Sequence, residues 1–102
     1  MNISDIIEAI EAKRVLITNH ADEEAEEDGL EFEAIYYSVL GGEIIEDYPT
    51  DKPCPSCLVF GMTASGFPVH SVWGYDRGNL IAILITVYCP NPSRWINWRI
   101  RG

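Results

Sequence analysis

The sequence predicts an α+β domain: two to three N-terminal helices packed on a four-stranded antiparallel sheet. Two observations carry this. Apolar residues recur with helical spacing up to Leu40 and with strand spacing beyond Gly42, and those spacings, about 3.6 and about 2 residues, belong to the helix and the strand. Between the regions stands Gly41-Gly42, a pair expected to end a helix by taking the left-handed cap conformation that other residues resist. At 102 residues and 47% apolar content, the chain suits a single core, so residues 1–102 are expected to form one domain.

The elements follow in order. Ser4 is placed to cap a first helix, with Asp5 at its positive end and Ile6, Ile7 and Ile10 on one stripe. Val15-Leu-Ile-Thr18 is a short extended lead-in, and Asn19 then caps an acidic second helix that stops at Gly29. From Glu31 to Leu40 the helical period returns through Phe32, Ile35, Tyr36 and Val39. Glu43 to Tyr48 is the first strand, and the two prolines within Pro49 to Pro55 make that segment a loop. Leu58, Phe60 and Met62 alternate with Val59 and Gly61 in the second strand; Phe67 to Asp76 is the third. Arg77-Gly-Asn79 reverses the chain into the fourth, Leu80 to Tyr88, whose apolar centre suits a strand inside the sheet.

Charge is unevenly spread. The net charge is -9, with eight carboxylates and no base between Asp22 and Glu33, and four arginines and no carboxylate from Arg77 onward. Such a chain does not attract nucleic acid over its whole surface, so any contact with RNA is confined to the arginine-bearing tail. The acidic helix is either a solvated face or a dock for a basic partner. Three cysteines without a basic-then-apolar leader argue for reduced thiols and a cytoplasmic protein, and no apolar run is long enough to span a bilayer.

Several residues could carry chemistry. Cys54-Pro-Ser-Cys57 has the spacing of a shared metal or a redox couple, but no further ligands share its spacing and the pair leads into a strand rather than a helix; neither a metal nor a cofactor is expected. His70 lies mid-strand. With a three-residue hairpin loop, Asp76 pairs with Leu80 and His70 lies opposite Thr86, on one face with Tyr88; with a two-residue Gly-Asn loop it meets Val87 instead. Imidazole near a phenol and a guanidinium suits acid-base chemistry on a phosphodiester. Arg94, Arg99 and Arg101 with Trp95 and Trp98 form a basic aromatic tail fit to bind phosphates and stack bases. Alternatively, the tryptophans pack that tail onto the sheet while the arginines bind the acidic second helix.

His20-Ala at the start of an acidic helix, Gly29-Leu30, Gly42-Glu-Ile-Ile-Glu-Asp-Tyr-Pro49, Pro55-Ser-Cys-Leu-Val-Phe-Gly61, Gly66-Phe-Pro-Val-His70 and Thr86-Val-Tyr-x-Pro-Asn-Pro-x-x-Trp95 occur in this order. Over about Leu16 to Arg101 this set resembles domain-of-unknown-function family 4258. The resemblance implies small cytoplasmic proteins often encoded beside an antitoxin-like protein, with a helix-helix-sheet order similar to RelE, BrnT and barnase-like ribonucleases. It implies a metal-independent ribonuclease in which His70 or Tyr88 is the general base, His20 the acid, and Arg94 or Arg99 offsets phosphate charge, with Trp95 and Arg99 binding RNA. Expected partners are RNA, an antitoxin-like protein or a second copy of the chain in a homodimer, and no membrane. The family's usual arginine a turn after His20 is missing here, where Asp22 to Asp28 offers only carboxylates and Ala25. The rivals are therefore a degenerate relative of such an enzyme and a non-catalytic module binding protein through its acidic helix or sheet face.

Overall fold

The computed structural model describes residues 1–102. Three helices, α1 (Ile3–Glu11), α2 (Asn19–Glu27) and α3 (Phe32–Leu40), pack on a five-stranded sheet of β1 (Val15–Ile17), β2 (Glu43–Tyr48), β3 (Ser56–Met62), β4 (Pro68–Asp76) and β5 (Ile81–Tyr88). Strand order is β1-β5-β4-β3-β2, antiparallel except for β1, which runs parallel to β5. The expected four-stranded antiparallel sheet is thus a five-stranded mixed one. The lead-in Val15–Ile17 pairs with Ala82, Ile83 and Leu84, supplying the backbone partners that the first half of β5 would otherwise lack. The tail adds a second, two-stranded sheet of β6 (Trp95–Ile96) and β7 (Ile100–Arg101). No helix is long and apolar enough to cross a membrane.

One core joins helices to sheet. Ile6 and Ala9 of α1, Ala21 and Ala25 of α2, and Ile35 and Val39 of α3 meet alternate strand residues including Val59, Trp73, Leu84 and Val87. Strand alternation sends the intervening residues, among them Phe60, His70 and Tyr88, to the opposite face.

Helix starts sit slightly earlier than expected. Asn2 rather than Ser4 caps α1, accepting from the Ser4 amide at 3.0 Å. Thr18 rather than Asn19 caps α2: its hydroxyl accepts from the Ala21 amide at 3.1 Å and donates to the Ile85 carbonyl at 3.0 Å. One side chain therefore both starts the helix and ties it to β5.

Beyond β1 the edge of β5 is satisfied by the acidic helix. The Glu24 carboxylate accepts from the Val87 amide at 3.2 Å and from the Thr86 hydroxyl, and Asp28, one turn later, accepts from the Cys89 amide at 3.1 Å. Two of the helix's carboxylates are structural, replacing a neighbouring strand. Glu24→Ala is expected to lower the denaturant midpoint by the equivalent of about 1–2 kcal/mol, with Glu24→Gln losing less, because the amide oxygen still accepts. An unchanged midpoint would remove Glu24 from the edge.

Gly41 ends α3 at φ -103, an ordinary conformation rather than the expected left-handed one. The nearby glycines are needed for space. A Cβ on Gly42 would lie 2.7 Å from the Ser38 carbonyl oxygen, and one on Gly61 would lie 1.8 Å from that same atom. The last turn of α3 rests directly on β3.

The β4–β5 hairpin has neither expected loop. Asp76 pairs with Ile81, leaving a four-residue turn in which the Asp76 carboxylate accepts from the Gly78 amide at 3.0 Å and the Asn79 side chain at 2.9 Å. A bulge between Val72 and Trp73 then shifts the register, so His70 pairs directly with Tyr88.

Candidate functional site

Phe60, His70 and Tyr88 are cross-strand neighbours in a row over β3, β4 and β5. The tail hairpin closes over this row. Trp95 meets the His70 ring edge-on at 4.4 Å between centroids, and His70 is fully buried. Its Nε2 lies 2.6 Å from the Trp98 carbonyl oxygen and its Nδ1 3.1 Å from the Tyr88 hydroxyl. A carbonyl can only accept, so Nε2 carries the proton; in the neutral ring Nδ1 then accepts from Tyr88. The result is a chain from the Tyr88 hydroxyl through His70 to the Trp98 carbonyl.

Burial lowers the His70 pKa, opposed by the Trp98 hydrogen bond and Glu46 and assisted by Arg101; burial also raises the Tyr88 phenol, which Arg101 pulls down while Glu46 and Glu24 push it up. Both groups are neutral at neutral pH. Beside them the Arg101 fork donates to Glu46, Nε at 2.9 Å and Nη2 at 3.1 Å, and holds that carboxyl below its usual range. Tyr48 donates to the same carboxylate, and burial with the Glu46 hydrogen bond pushes its phenol to about 12. The Arg101 guanidinium lies 4.8 Å from the Trp95 ring centroid.

Because the charged form of His70 is disfavoured only in the folded protein, the unfolded chain binds the extra proton first. Stability is complete above the unfolded pKa, about 6.5, and is lost as pH falls through the lower folded value. Denaturant midpoints should fall between about pH 7.5 and about pH 5.5, and His70→Gln should flatten that slope. A slope kept in the variant would assign it to other groups.

A groove of about 530 Å³ opens over this cluster, lined by Tyr88, Cys89, Asn91, Arg94, Trp95 and Arg101. Arg94 is exposed and forms no ion pair. The fold thus gathers Tyr88, Arg94 and Trp95 in one groove, with His70 sealed beneath its floor. Trp95 is buried between His70 and Arg101, so its ring serves packing. His20 lies outside the groove, on the first turn of α2, with Nε2 3.1 Å from Glu24. Arg99 is on the far side of the hairpin, paired with Glu43 and 4.8 Å from the Phe60 ring centroid.

Trp95 packs the tail onto the sheet and Trp98 reaches it through its main-chain carbonyl, while Arg99 and Arg101 bind Glu43 and Glu46 of β2 rather than the acidic helix and Arg94 pairs with neither. The reason is geometric: α2 lies along the β5 edge, whereas the hairpin crosses the opposite face toward β2. Glu46, Tyr48 and the Trp98 carbonyl were not singled out from sequence; the spacing of Glu46 and Tyr48 on one strand, two residues apart, was the available signal. Cys57 lies buried among the helix-side core residues, its thiol pushed up to about 12 by burial. Cys54 stands instead against Gly74, which pairs with Ser56 on the other face, so the two thiols do not converge.

No curated protein and no solved structure matches the chain. The domain of unknown function DUF4258 does match, over residues 17–89. That span runs from the end of β1 past Tyr88 and includes His20 and His70, while Arg94, Trp95 and Arg101 lie beyond it. The match covers more than half of the residues, and the chain belongs to the DUF4258 family.

Proposed function

We propose that the groove over Tyr88 and Arg94 takes the phosphodiester backbone of single-stranded RNA and that the protein is a metal-independent ribonuclease of the toxin–antitoxin, RelE-like type. The observation that carries this reading is the hydrogen-bonded chain Tyr88–His70–Trp98 at the groove floor beside an unpaired guanidinium. A hydroxyl, a base and an orienting acceptor in series are the parts of an activated proton relay.

In the proposed reaction the RNA 2′-hydroxyl gives its proton to the Tyr88 oxygen as that phenol passes its own proton to His70 Nδ1. The 2′ oxygen attacks phosphorus, and Arg94 offsets charge on the pentavalent phosphate. The bond to the 5′ oxygen breaks, and that oxygen takes a proton from solvent at the open side of the groove. The imidazolium formed at His70 is held between Tyr88 and the Trp98 carbonyl, with Glu46 close enough to favour it. The product is a 2′,3′-cyclic phosphate.

A binding-only relative is the second reading, favoured by the pairing of Arg99 with Glu43 and Arg101 with Glu46, which leaves Arg94 as the groove's one uncommitted cation. The two readings part on one assay. Purified protein is incubated with a single-stranded RNA in chelator, and growth is followed on expression with and without the neighbouring open reading frame. Cyclic-phosphate products and growth arrest support the enzyme; intact RNA together with harmless expression sinks it.

A further inference from the structure

Beside the groove over Tyr88 and Arg94, with which it shares Cys89 alone, α3 and the turn between β3 and β4 carry an apolar strip with an acidic rim. Tyr37, Leu40, Met62 and Phe67 are 54%, 46%, 42% and 64% exposed, a cluster of large apolar side chains rather than isolated ones. Two depressions share this strip. One of about 680 Å³ is lined by Tyr37, Leu40, Met62 and Trp98, the other of about 430 Å³ by Leu30, Ala34 and Phe67, and Thr63 lines both. The depressions adjoin at Thr63 beside α3, whose 9 residues set a length of about 13 Å, some two to three turns of a helix.

The rim decides what can lie there. Asp28 and Glu31 border one depression and Glu43 the other, with Glu33 one turn before Tyr37 on α3. Glu31 and Glu33 have no cation partner, and the cation nearest the strip, Arg99, is neutralised by Glu43. Nucleic acid and anionic lipid are repelled by such a rim. A second copy would bring another acidic rim and a further charge of -9 against the first. Apolar anchors flanked by basic residues satisfy both the strip and its border.

We infer that the α3 strip is a docking site for a cationic amphipathic helix of a partner protein. Apolar residues at helical spacing on that helix lie over Tyr37, Leu40, Met62 and Phe67, and its flanking lysines or arginines face Glu31 and Glu33. The site is separate from Tyr88 and Arg94, so it serves the protein whether or not RNA is cleaved.

The test titrates the full chain with a synthetic helical peptide of leucine and lysine, apolar on one side, following amide chemical shifts and fluorescence anisotropy. Saturable binding with shifts concentrated at residues 37–42 and 61–67 is expected. Leu40→Glu with Met62→Glu should weaken it by about ten-fold or more. Reversing charge on the exposed face of α2, by Glu23→Lys with Glu26→Lys, should change it by less than about two-fold, and Tyr88→Phe should leave it unchanged. Both apolar sites are exposed, and circular dichroism checks that the double variant folds. Equal binding of a shuffled peptide, or equal loss on reversing α2, would mean simple charge attraction and overturn the site. A concentration-dependent dimer dissolved by Leu40→Glu would give the strip to a second copy instead.

Discussion

Tyr88→Phe should reduce the proposed RNA cleavage by about 10²–10⁴-fold, the usual loss when a positioned acid-base group is removed. The substitution deletes one oxygen and keeps the ring that packs 5.2 Å from His70. His70 loses the donor to Nδ1 but retains the Trp98 carbonyl on Nε2, so stability should fall by only about 1 kcal/mol. The separation of a large rate effect from a small stability effect distinguishes a relay from a buried structural hydrogen bond. Single-turnover cleavage and denaturant unfolding of the same samples provide both values. If the variant cleaves RNA at the original rate, Tyr88 belongs to the packing alone, and the relay is lost with it.

Gly61→Ala should cost about 3 kcal/mol or more, a large share of the stability of a small domain. The added Cβ would stand 1.8 Å from the Ser38 carbonyl oxygen and 2.6 Å from its carbon, both backbone atoms of α3. No rotamer change relieves that contact; the helix must lift from β3 and separate Ile35 and Val39 from the core they share with Val59. Gly41→Ala is the internal control, since nothing lies within 4 Å of its Cβ and its φ of -103 suits any residue. It should be neutral or slightly stabilising, by up to about 1 kcal/mol, through the lower entropy of the unfolded chain. Similar denaturant midpoints for the two variants would show that α3 does not rest on β3 as described.

Much of the candidate site was legible because it sits on regular elements. His70 and Tyr88 were placed on neighbouring strands by two strand-sized segments, Phe67 to Asp76 and the apolar Leu80 to Tyr88, joined by the turn residues Arg77-Gly-Asn79. Their direct pairing was not, because it depends on a four-residue turn built around Asp76 and on a bulge at Val72, and a shift of one residue sends a side chain to the other face. The Trp98 carbonyl was invisible for another reason. Main-chain groups carry no residue signature, and this one reaches His70 only because the chain folds back over the sheet.

The acidic helix shows the same division. Its existence and its stop near Gly29 follow from local composition and spacing. That Glu24 and Asp28 would bind the β5 edge depends on β1 being too short to cover it, which no local pattern records. By itself the sequence determined helices, strands, their order and the residue types available for chemistry, because backbone propensity and apolar period act within a few neighbours. Only the tertiary structure decided that the sheet is mixed, that Arg99 and Arg101 meet β2, and that Tyr88 rather than His70 faces the groove. Each of those outcomes is a contact between segments distant in the chain, selected by which backbone and charged groups could find partners once the strands were in register.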